Sequence, residues 1–294
     1  MEAGPAGEKT VMTAIRPITD KEFNLFQALI HREAGIYLSS AKKDLLAGRL
    51  CRRLRELGLD SFTAYYRRVT GGDAAERVHL LNAISTNETH FFREQSHFDF
   101  LERQVFPGWA SQAASGLRGR HIRIWSAGCS TGEEPYSLAM ILLEYFPPFA
   151  GWTIEIVATD LSTRVLEQAQ TAVWPIEKAR EIPSRRLKSF MLRGRRAGEG
   201  KMKAGPEIRS VIRFERLNLN DEVYPVTGRF DLVFCRNVLI YFNAESKTSV
   251  IHRLLNHLMP EGYLFLGHSE TLNGLTDRVQ SVIPTVYALA GKHP

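Results

Sequence analysis

The amino-acid sequence predicts an α/β protein in which a doubly wound domain follows an N-terminal all-helical domain. Two apolar strands are indicated at 121–127 (HIRIWSA) and 153–160 (TIEIVATD), with a helix-like run at 133–145 between them. A strand, a helix and a second strand within about forty residues favour right-handed crossovers and a parallel sheet. Before residue 86, by contrast, apolar side chains recur at helical spacing.

The N-terminal part, residues 19–86, is predicted to be a helical domain. The small and polar residues 1–18 before it are predicted to form a flexible tail. One helix of this domain has an apolar row made of Leu46, Leu50, Leu54 and Leu57. A second apolar row, nearer the amino end, consists of Phe23, Phe26, Leu29 and Ile30.

A basic stripe accompanies the leucine row. Between residues 41 and 68 the sequence has eight Lys or Arg against three acids, and Arg49, Arg52 and Arg55 step by three residues along one flank of the helix. From the residues alone, an ordinary solvated helix face is the favoured interpretation. The alternative is a surface for an anionic partner, which the net charge of +6 also permits.

The second half of the chain supplies the rest of the predicted sheet. Further strands are predicted at Ile212–Leu217, Phe230–Cys235, Gly262–Gly267 and Thr285–Leu289, with an amphipathic helix at Ala244–Leu258. The segment 171–211 does not fit this rhythm, because it is too long for one connection and rich in glycine. Twelve Lys or Arg stand against four acids between residues 174 and 213. We interpret the segment as an insertion, either a small hairpin subdomain or a flexible loop.

Several classes of protein are disfavoured by composition. No run approaches the roughly 18 to 20 apolar residues of a membrane helix, and the amino end has no apolar core of a secretion signal. Cys51, Cys129 and Cys235 form no CxxC pair, so neither a disulfide framework nor a cysteine metal site is predicted. We therefore expect a protein of the cytoplasm, without membrane insertion and without a bound metal.

The first strand runs into a glycine turn at 128–132, and the second strand ends at Asp160, a layout typical of nucleoside cofactor sites. The dinucleotide fingerprint GxGxxG is absent, and Glu133 and Glu134 stand where a diphosphate needs an electropositive helix start. Acids there suit a cofactor that carries a sulfonium and an ammonium group. Favourable capping of the helix by the two glutamates is the simpler alternative.

Two more clusters, at residues 86–93 and 234–242, combine polar side chains with aromatic ones. The run TNETHFFR at 86–93 contains polar residues beside two phenylalanines, and a helix cap followed by core is the favoured interpretation in isolation. The run FCRNVLIYF at 234–242 follows a strand, at the sheet edge where ligands bind in open α/β folds.

Together these pieces resemble the chemotaxis receptor methyltransferase family, CheR. The resembling motifs are NETHFFR, SAGCSTGEEPYS, ATDLS, LNL, FCRNVLIYF and GHSETL, and they occur in the order of the family between Asn87 and Ala290. The resemblance implies an N-terminal all-helical domain at 19–86 and a linker with the NETHFFR motif at 87–108. It further implies a Rossmann-like S-adenosylmethionine-dependent methyltransferase domain at 109–294, with a small inserted β subdomain at 171–211.

The resemblance also implies a set of cofactor contacts. Carried over by position, they fall on Asn87, Thr89, Arg93, Glu134, Asp160, Asn218, Leu219, Arg236 and Asn237. Asp160 is expected to hold the ribose hydroxyls, and Asn218 with Leu219 to lie near the adenine. The spacing does not distinguish the adjacent acids, and Glu134 rather than Glu133 is our prediction.

The activity implied is transfer of a methyl group from S-adenosylmethionine to receptor glutamates, which yields glutamate methyl esters and S-adenosylhomocysteine. A glutamate with an unperturbed pKa near 4.3 is already an ionised nucleophile at pH 7, so no catalytic base is needed. Arg93 or Tyr241 is predicted to orient the incoming carboxylate.

The expected partner is the cytoplasmic domain of a chemoreceptor. The basic stripe is suited to bind the acidic helices of such a receptor. The predicted receptor-binding residues are Arg49, Arg52, Arg53 and Arg55. Some members of the family also tether to the receptor's C-terminal tail peptide through the inserted subdomain. We expect a monomer without nucleic-acid partners. A nucleic-acid methyltransferase and a catalytically silent cofactor-binding module are the alternatives.

Overall fold

A computed structural model describes residues 15–291. The chain divides into two compact units, Met1–Ile84 and Ser85–Pro294. The flexible tail predicted at 1–18 falls mostly outside the described residues. None of the helices in the described part combines the length and apolar character needed to cross a membrane.

The first unit is helical, as predicted. Its helices are α1 (Asp20–Ala34), α2 (Lys43–Glu56), α3 (Phe62–Thr70) and α4 (Ala74–Ile84). Helix α1 begins with a capping box, in which Thr19 and Glu22 bond each other's backbone N–H, and it ends at Gly35, whose φ is 68°. Phe26, buried on α1, packs against the rings of Tyr65 and Tyr66 from α3. The predicted apolar rows of α1 and α2 therefore face the interior of this unit.

The second unit is built on a seven-stranded sheet. Its strands are β1 (His121–Ala127), β2 (Thr153–Asp160), β6 (Ile212–Arg216), β7 (Phe230–Cys235), β8 (Leu258–Leu266), β9 (Val279–Ile283) and β10 (Val286–Leu289). The order across the sheet is β6-β2-β1-β7-β8-β10-β9. The first five run parallel, and β10 pairs antiparallel with both β8 and β9.

Helices of the second unit lie before and between these strands. They are α5 (Gln95–Phe100), α6 (Phe106–Ala114), α7 (Glu133–Tyr145), α8 (Thr163–Thr171), α9 (Ser184–Phe190), α10 (Pro206–Ser210) and α11 (Ala244–Asn256). A π-helical turn at Leu101–Val105 joins α5 to α6. The interpretation of 87–108 as a linker needs correction, because Phe91, Phe98 and Phe106 are buried in the core of this unit.

The sheet has an apolar core on each face. Alternate residues of β1 separate the two cores, since Ile124 belongs to one and Trp125 to the other. Helix α7 contributes Leu138 to the first core, and α11 contributes Val250 to the second. The doubly wound α/β class predicted from the sequence is thereby confirmed, with helices against both faces.

The excursion between α8 and β6 forms a small subdomain. Its strands are β3 (Val173–Pro175), β4 (Met191–Arg193) and β5 (Lys201–Ala204), which pair antiparallel in the order β3-β5-β4. Trp174 on β3 is fully buried and meets the rings of Phe91 and Tyr136 edge-on, both with centroids 5.0 Å away. Of the two forms considered for this insertion, the ordered subdomain is the one observed.

Candidate active site

Four neighbouring strands of the second unit end along one edge of the sheet. In sheet order, β6 ends at Arg216, β2 at Asp160, β1 at Ala127 and β7 at Cys235. The crevice outside the carboxyl ends of parallel strands is where open α/β sheets bind ligands. The backbone N–H of Leu217 donates to the carbonyl oxygen of Asp160 at 3.0 Å, so the segment after β6 stays beside the end of β2. Asn218 and Leu219 follow directly.

The glycine turn after β1 is held tightly against the end of β2. The backbone N–H groups of Gly128 and Cys129 both donate to the Thr159 carbonyl oxygen, at 2.8 and 2.9 Å. Gly128 has a φ of 90°, and a Cβ there would collide with the side chain of Val238. Glycine at 128 is therefore required for the close approach of the turn to the segment after β7.

Asp160 is buried where β2 ends, and backbone groups fix its carboxylate. Oδ2 accepts from the Ser130 N–H and Oδ1 from the Ser162 N–H, both at 2.9 Å. Burial raises the pKa of Asp160 above its ordinary value, and the backbone hydrogen bonds only partly oppose this. A carboxylate has about four lone-pair positions, and the backbone N–H groups of Ser130, Ser162 and Leu161 use three of them, so Asp160 can still accept from a neighbouring hydroxyl group.

The segment 87–93 lies against the glycine turn. The hydroxyl of Ser130 donates to the backbone carbonyl of Asn87 at 2.9 Å, and the N–H of Phe92 donates to Ser137 Oγ at 3.0 Å. Arg93 is half-buried, and its guanidinium donates to the Glu88 carbonyl at 3.2 Å. The structure therefore brings the motif at 87–93 to the same sheet edge as Asp160.

Two buried amide oxygens at this edge have no hydrogen-bond donor within the described residues. They are Asn87 Oδ1 and Asn237 Oδ1. An unpaired buried acceptor costs roughly 1 to 3 kcal/mol, and native structures rarely leave one unsatisfied. Asn237 moreover has a φ of 59°, a left-handed conformation that fixes where its side chain begins. Both oxygens fit a ligand that brings N–H or O–H donors.

Arg236 and Glu134 form a buried ion pair beneath the edge. Arg236 Nε donates to Glu134 Oε2 at 2.7 Å, and the Arg236 side chain is only 2% exposed. The other oxygen of Glu134 accepts from the hydroxyl of Ser126 at 2.7 Å. Arg236 Nη1 also donates to the Arg93 carbonyl at 2.5 Å, and Glu94 Oε2 lies 3.7 Å from it. One guanidinium thus connects the end of β7, the start of α7 and the segment 87–93.

His97 on α5 completes this arrangement. The Thr285 hydroxyl donates to the Pro284 carbonyl at 2.6 Å, so its oxygen accepts from His97 Nε2 at 2.8 Å. Nδ1 is then the unprotonated nitrogen, and it faces Arg236 Nη1 at 3.4 Å. Burial, together with the charge of Arg236, lowers the pKa of His97, and Glu94 opposes this shift only in part. His97 is therefore the neutral Nε2–H tautomer at pH 7.

The lowered pKa of His97 makes stability depend on pH. The unfolded chain binds a proton at His97 near the ordinary value of 6.5, whereas the folded chain resists it, so stability is lost as pH falls below 6.5. We expect the drop in unfolding free energy between pH 7.5 and 5.5 to be about 1 kcal/mol larger in the native protein than in His97→Gln. Urea unfolding at both pH values measures this. His252→Gln, at an exposed position on α11, should match the native protein, and identical pH dependence in His97→Gln would contradict the prediction.

The adjacent acids Glu133 and Glu134 have different partners. Glu134 faces Arg236, whereas Glu133 Oε1 accepts from Lys178 Nζ at 2.6 Å and Oε2 from the Thr131 hydroxyl at 2.6 Å. Lys178 belongs to the inserted subdomain and also donates to the Thr89 carbonyl at 3.0 Å. Consecutive helical residues point about 100° apart, which explains why neighbouring acids serve different contacts.

Sequence reasoning missed the structural importance of Glu270, in the GHSETL motif. Its buried carboxylate accepts from the backbone N–H groups of Gly267, Asn237 and Ile240 at 2.6, 2.8 and 3.2 Å. Burial raises the pKa of Glu270, and these hydrogen bonds oppose the shift. The carboxylate thus fixes the turn after β7 that carries Asn237 and Tyr241. An acid three residues after a glycine at a strand end was the available signal.

The remaining predicted site residues lie at the same edge. The Asn218 side chain bonds Asp221 Oδ1 at 3.1 Å and accepts from the Asn220 N–H at 3.1 Å. Leu219 is buried, and Tyr241 is half-buried in the short 3₁₀ turn Leu239–Tyr241. The structure therefore gathers at one edge all of the residues that the resemblance implied for cofactor binding and substrate orientation.

Comparison with known proteins identifies the kind of protein to which this edge belongs. The family described as CheR methyltransferase, SAM binding domain, matches residues 87–288, and the CheR methyltransferase all-alpha domain matches residues 21–85. The chain belongs to the CheR methyltransferase family. The family description makes S-adenosylmethionine its cofactor, as the acidic glycine turn had suggested.

Individual relatives of this CheR-family chain agree over nearly its whole length. Chemotaxis protein methyltransferase 2 of Pseudomonas aeruginosa is 39% identical over 273 residues, covering 92% of this chain and 94% of that protein. The chemotaxis protein methyltransferase of Salmonella typhimurium is 36% identical over 293 residues, covering 97% of each. The Escherichia coli protein of the same name is 36% identical over 291 residues, covering 97% of this chain and 98% of that protein.

The residues present at the edge fit S-adenosylmethionine. Asp160 offers a free lone pair to a ribose hydroxyl, and the unpaired oxygens of Asn87 and Asn237 suit donors of the amino-acid or adenine part. Of the two acids at the start of α7, Glu133 is paired with Lys178, whereas Glu134 keeps carboxylate lone pairs beside Arg236 that an ammonium group can use. This set of hydrogen-bond acceptors thus matches a cationic nucleoside without phosphate.

The arginines of α2 lie in the first unit and divide into two pairs. Arg53 donates twice to the buried Glu76, at 2.9 and 2.7 Å, and Arg49 donates to the Ile84 carbonyl. Arg52 is 86% exposed and pairs with Glu56 on its own helix, and Arg55 is exposed. Arg52 and Arg55 are thus presented to solvent, while the partly exposed Arg49 and Arg53 bond to other residues of the unit. The receptor-binding role of the four arginines stays a prediction.

Proposed function

We propose that this protein transfers the methyl group of S-adenosylmethionine to glutamate side chains on the cytoplasmic helices of a chemoreceptor, as a step in chemosensory adaptation. The products are a glutamate methyl ester and S-adenosylhomocysteine. The observation that carries the proposal is the family match over residues 21–85 and 87–288, combined with the buried oxygen acceptors of Asp160, Asn87 and Asn237 at the sheet edge. The names of the relatives support a chemotaxis substrate.

We assign roles at the sheet edge as follows. Asp160 accepts the ribose hydroxyls, and Asn218 with Leu219 lies beside the adenine. The remaining proposed cofactor contacts are Asn87, Thr89, Arg93, Glu134, Arg236 and Asn237. Glu134 is fixed by Ser126 and Arg236 and keeps lone pairs for an ammonium group. When bound, S-adenosylmethionine supplies an electrophilic methyl group on a sulfonium.

The protein's task in this chemistry is alignment rather than proton transfer. A substrate carboxylate is already ionised at pH 7, and holding it in line with the methyl group is worth on the order of 7 to 11 kcal/mol. We assign its orientation to Arg93, through charge, and to the Tyr241 hydroxyl, through a hydrogen bond. The backbone of the turn that carries Tyr241 is fixed by the buried Glu270 carboxylate, which sets where this side chain begins.

One assay tests the reaction directly. The protein is incubated with methyl-labelled S-adenosylmethionine and receptor cytoplasmic fragments, and base-labile methyl release is measured. Ester label on glutamates supports the proposal, whereas cofactor binding without ester on any fragment favours a silent binding module. Base-stable label on RNA or DNA favours a nucleic-acid substrate. In the same assay, Tyr241→Phe should lower kcat without changing the Kd of the cofactor.

The receptor surface is assigned to the exposed arginines of α2. A face carrying Arg52 and Arg55 is suited to an acidic helix, and exposed charge pairs chiefly steer association and set register. Arg49 and Arg53 support this face from within, because their contacts with Ile84 and Glu76 fix the helix. The inserted sheet offers β3 and β4 as edge strands for an extended receptor tail peptide.

Charge reversal on α2 tests this surface. Arg55→Glu should raise the KM for receptor fragments roughly five- to tenfold at low salt, with kcat unchanged and with a weaker salt dependence. Arg67→Glu makes the same change of charge at an exposed position on α3 and serves as the control. Equal effects of the two variants would argue for bulk charge rather than a defined face. Receptor fragments with and without the C-terminal tail report separately on the inserted sheet.

A further inference from the structure

The inserted subdomain reaches the segment 87–93 through two charged side chains. Lys178 Nζ donates to the Thr89 carbonyl at 3.0 Å, and Glu181 Oε2 accepts from the Phe91 N–H at 2.9 Å. Both residues belong to the 3₁₀ turn Ile176–Glu181, directly after β3. The subdomain is thus in contact with the motif that carries the proposed cofactor residues Asn87, Thr89 and Arg93.

The segment 87–93 needs such external contacts. It forms neither helix nor strand, so no ladder of backbone hydrogen bonds holds it. Phe92 has a φ of 53° and Glu94, just beyond it, a φ of 61°, which are conformations that surrounding structure must maintain. The contacts from the inserted subdomain contribute to that maintenance.

Lys178 also neutralises the buried carboxylate of Glu133. The Glu133 side chain is only 1% exposed. Its Oε1 lies 2.6 Å from Lys178 Nζ, and its Oε2 accepts a hydrogen bond from the Thr131 hydroxyl. A carboxylate so deeply buried is stable only when it is paired and hydrogen-bonded. Glu133 opens α7 directly after the glycine turn. One ammonium group therefore joins two walls of the cofactor pocket, the glycine turn and the segment 87–93.

We propose that Lys178 is a positioning residue for S-adenosylmethionine, which sets the separation of these two walls from within the inserted subdomain. The inference rests on the cofactor site described under the proposed function and not on the identity of the methyl acceptor. Lys178 acts through Thr89 and Glu133, and no direct contact with the reacting atoms is assigned to it. Its contribution therefore belongs to cofactor binding, with little effect on methyl transfer once the cofactor is bound.

The experiment compares Lys178→Met, Lys178→Arg and the control Lys188→Met, which alters an exposed lysine of the same subdomain on α9. Calorimetry measures the Kd of S-adenosylmethionine, and hydrogen exchange of cofactor-free protein measures the protection of the Phe91 and Phe92 amides. Lys178→Met should raise the Kd about tenfold and speed exchange at those amides, while kcat at saturating cofactor stays within about twofold of native. Lys178→Arg should retain most of the affinity, because it keeps charge and donors.

Two results overturn the inference. One is an unchanged Kd and unchanged exchange in Lys178→Met. The other is full recovery of affinity in the double variant Lys178→Met with Glu133→Gln, which would reduce Lys178 to neutralising a buried acid. The cofactor Kd and the amide exchange are both measured without a methyl acceptor, and only kcat needs one, so failure of this inference is distinct from failure of the proposed glutamate methylation. Thermal unfolding of each variant verifies that binding is measured on folded protein.

Discussion

Replacing Arg236 by methionine is expected to lower the unfolding free energy of the second unit by about 3 to 5 kcal/mol and to abolish cofactor binding. The guanidinium is buried with Glu134 at 2.7 Å and Glu94 at 3.7 Å, and the rings of Phe98 and Phe234 flank it at 5.9 and 5.6 Å. Methionine fills similar volume but leaves the buried Glu134 without a cation and removes the arginine charge from beside Glu94. The loss therefore reflects uncompensated charge more than lost packing.

Urea unfolding and calorimetric titration with S-adenosylmethionine measure both effects. Arg103→Met is the matched control, because Arg103 is 77% exposed and its nearest acid, Asp99, lies 3.6 Å away at the surface. Such exposed pairs contribute about 0 to 1 kcal/mol, so the control should remain near native. A loss below about 1 kcal/mol in Arg236→Met would show that Glu134 and Glu94 take up protons or reach solvent, contrary to the structure. A second variant, Arg236→Lys, should restore charge but not the Nε contact with Glu134, and so regain only part of the stability.

Periodicity predicted the central elements of the fold because each of them is amphipathic or wholly apolar. The bounds of β1, β2, β7 and α7 agree with prediction, and each packs into a core where pattern and burial coincide. Strand β9, at the edge of the sheet, was missed because most of its residues are exposed and its sequence VQSVI alternates poorly. Strand β8 begins four residues earlier than predicted, at Leu258, because Pro260 and Glu261 resemble a loop and a register shift hides the pairing.

The features that the sequence did not predict depend on contacts between residues that are distant in the chain. The segment 87–108 has the composition of a helix cap and connection, and only the packing of Phe91 and Phe98 against the sheet makes it part of the core. Arg53 was predicted to bind the receptor together with the arginines of the basic stripe, but its partner Glu76 lies 23 residues away on α4, beyond any local pattern. Lys178 was counted only as part of a basic insertion, although it bonds both the Thr89 carbonyl and the Glu133 carboxylate. The motifs therefore predicted which residues meet at the sheet edge, whereas tertiary pairing determined which charges remain available at the surface.

At the edge of the sheet, buried carboxylates are held by backbone N–H groups. The pKa of Asp160 and that of Glu270 are both raised by burial, so ionising either acid at pH 7 works against folding. Each is kept in place by backbone N–H groups, which add no flexibility of their own. Carboxylates that are held by backbone groups in this way lose less side-chain freedom when the proposed cofactor binds.

Replacing Asp160 by asparagine is expected to raise the Kd of S-adenosylmethionine about 100-fold with little change in stability. The variant loses the charge that strengthens the proposed hydrogen bonding to the ribose, and its amide NH₂ cannot accept from the N–H of Ser130 or Ser162. It also removes a buried charge whose raised pKa opposes folding at pH 7, so these two changes offset each other within about 1 kcal/mol. Calorimetric titration and urea unfolding measure the two quantities.

Asp231→Asn provides the opposite control. Asp231 is a buried acid near the amino end of β7, where Oδ1 accepts from Arg118 at 2.6 Å and Oδ2 from the Arg123 N–H at 2.8 Å. It lies on the order of 13 Å along the strand from the proposed cofactor site, so its loss should lower stability and leave the cofactor Kd within about twofold of native.

The wild-type affinity for the cofactor should also fall as acidification protonates Asp160, whereas Asp160→Asn should lack this part of the pH dependence. Equal loss of affinity in the two variants would mean that Asp160 acts through general stability of the unit and not by holding the ribose.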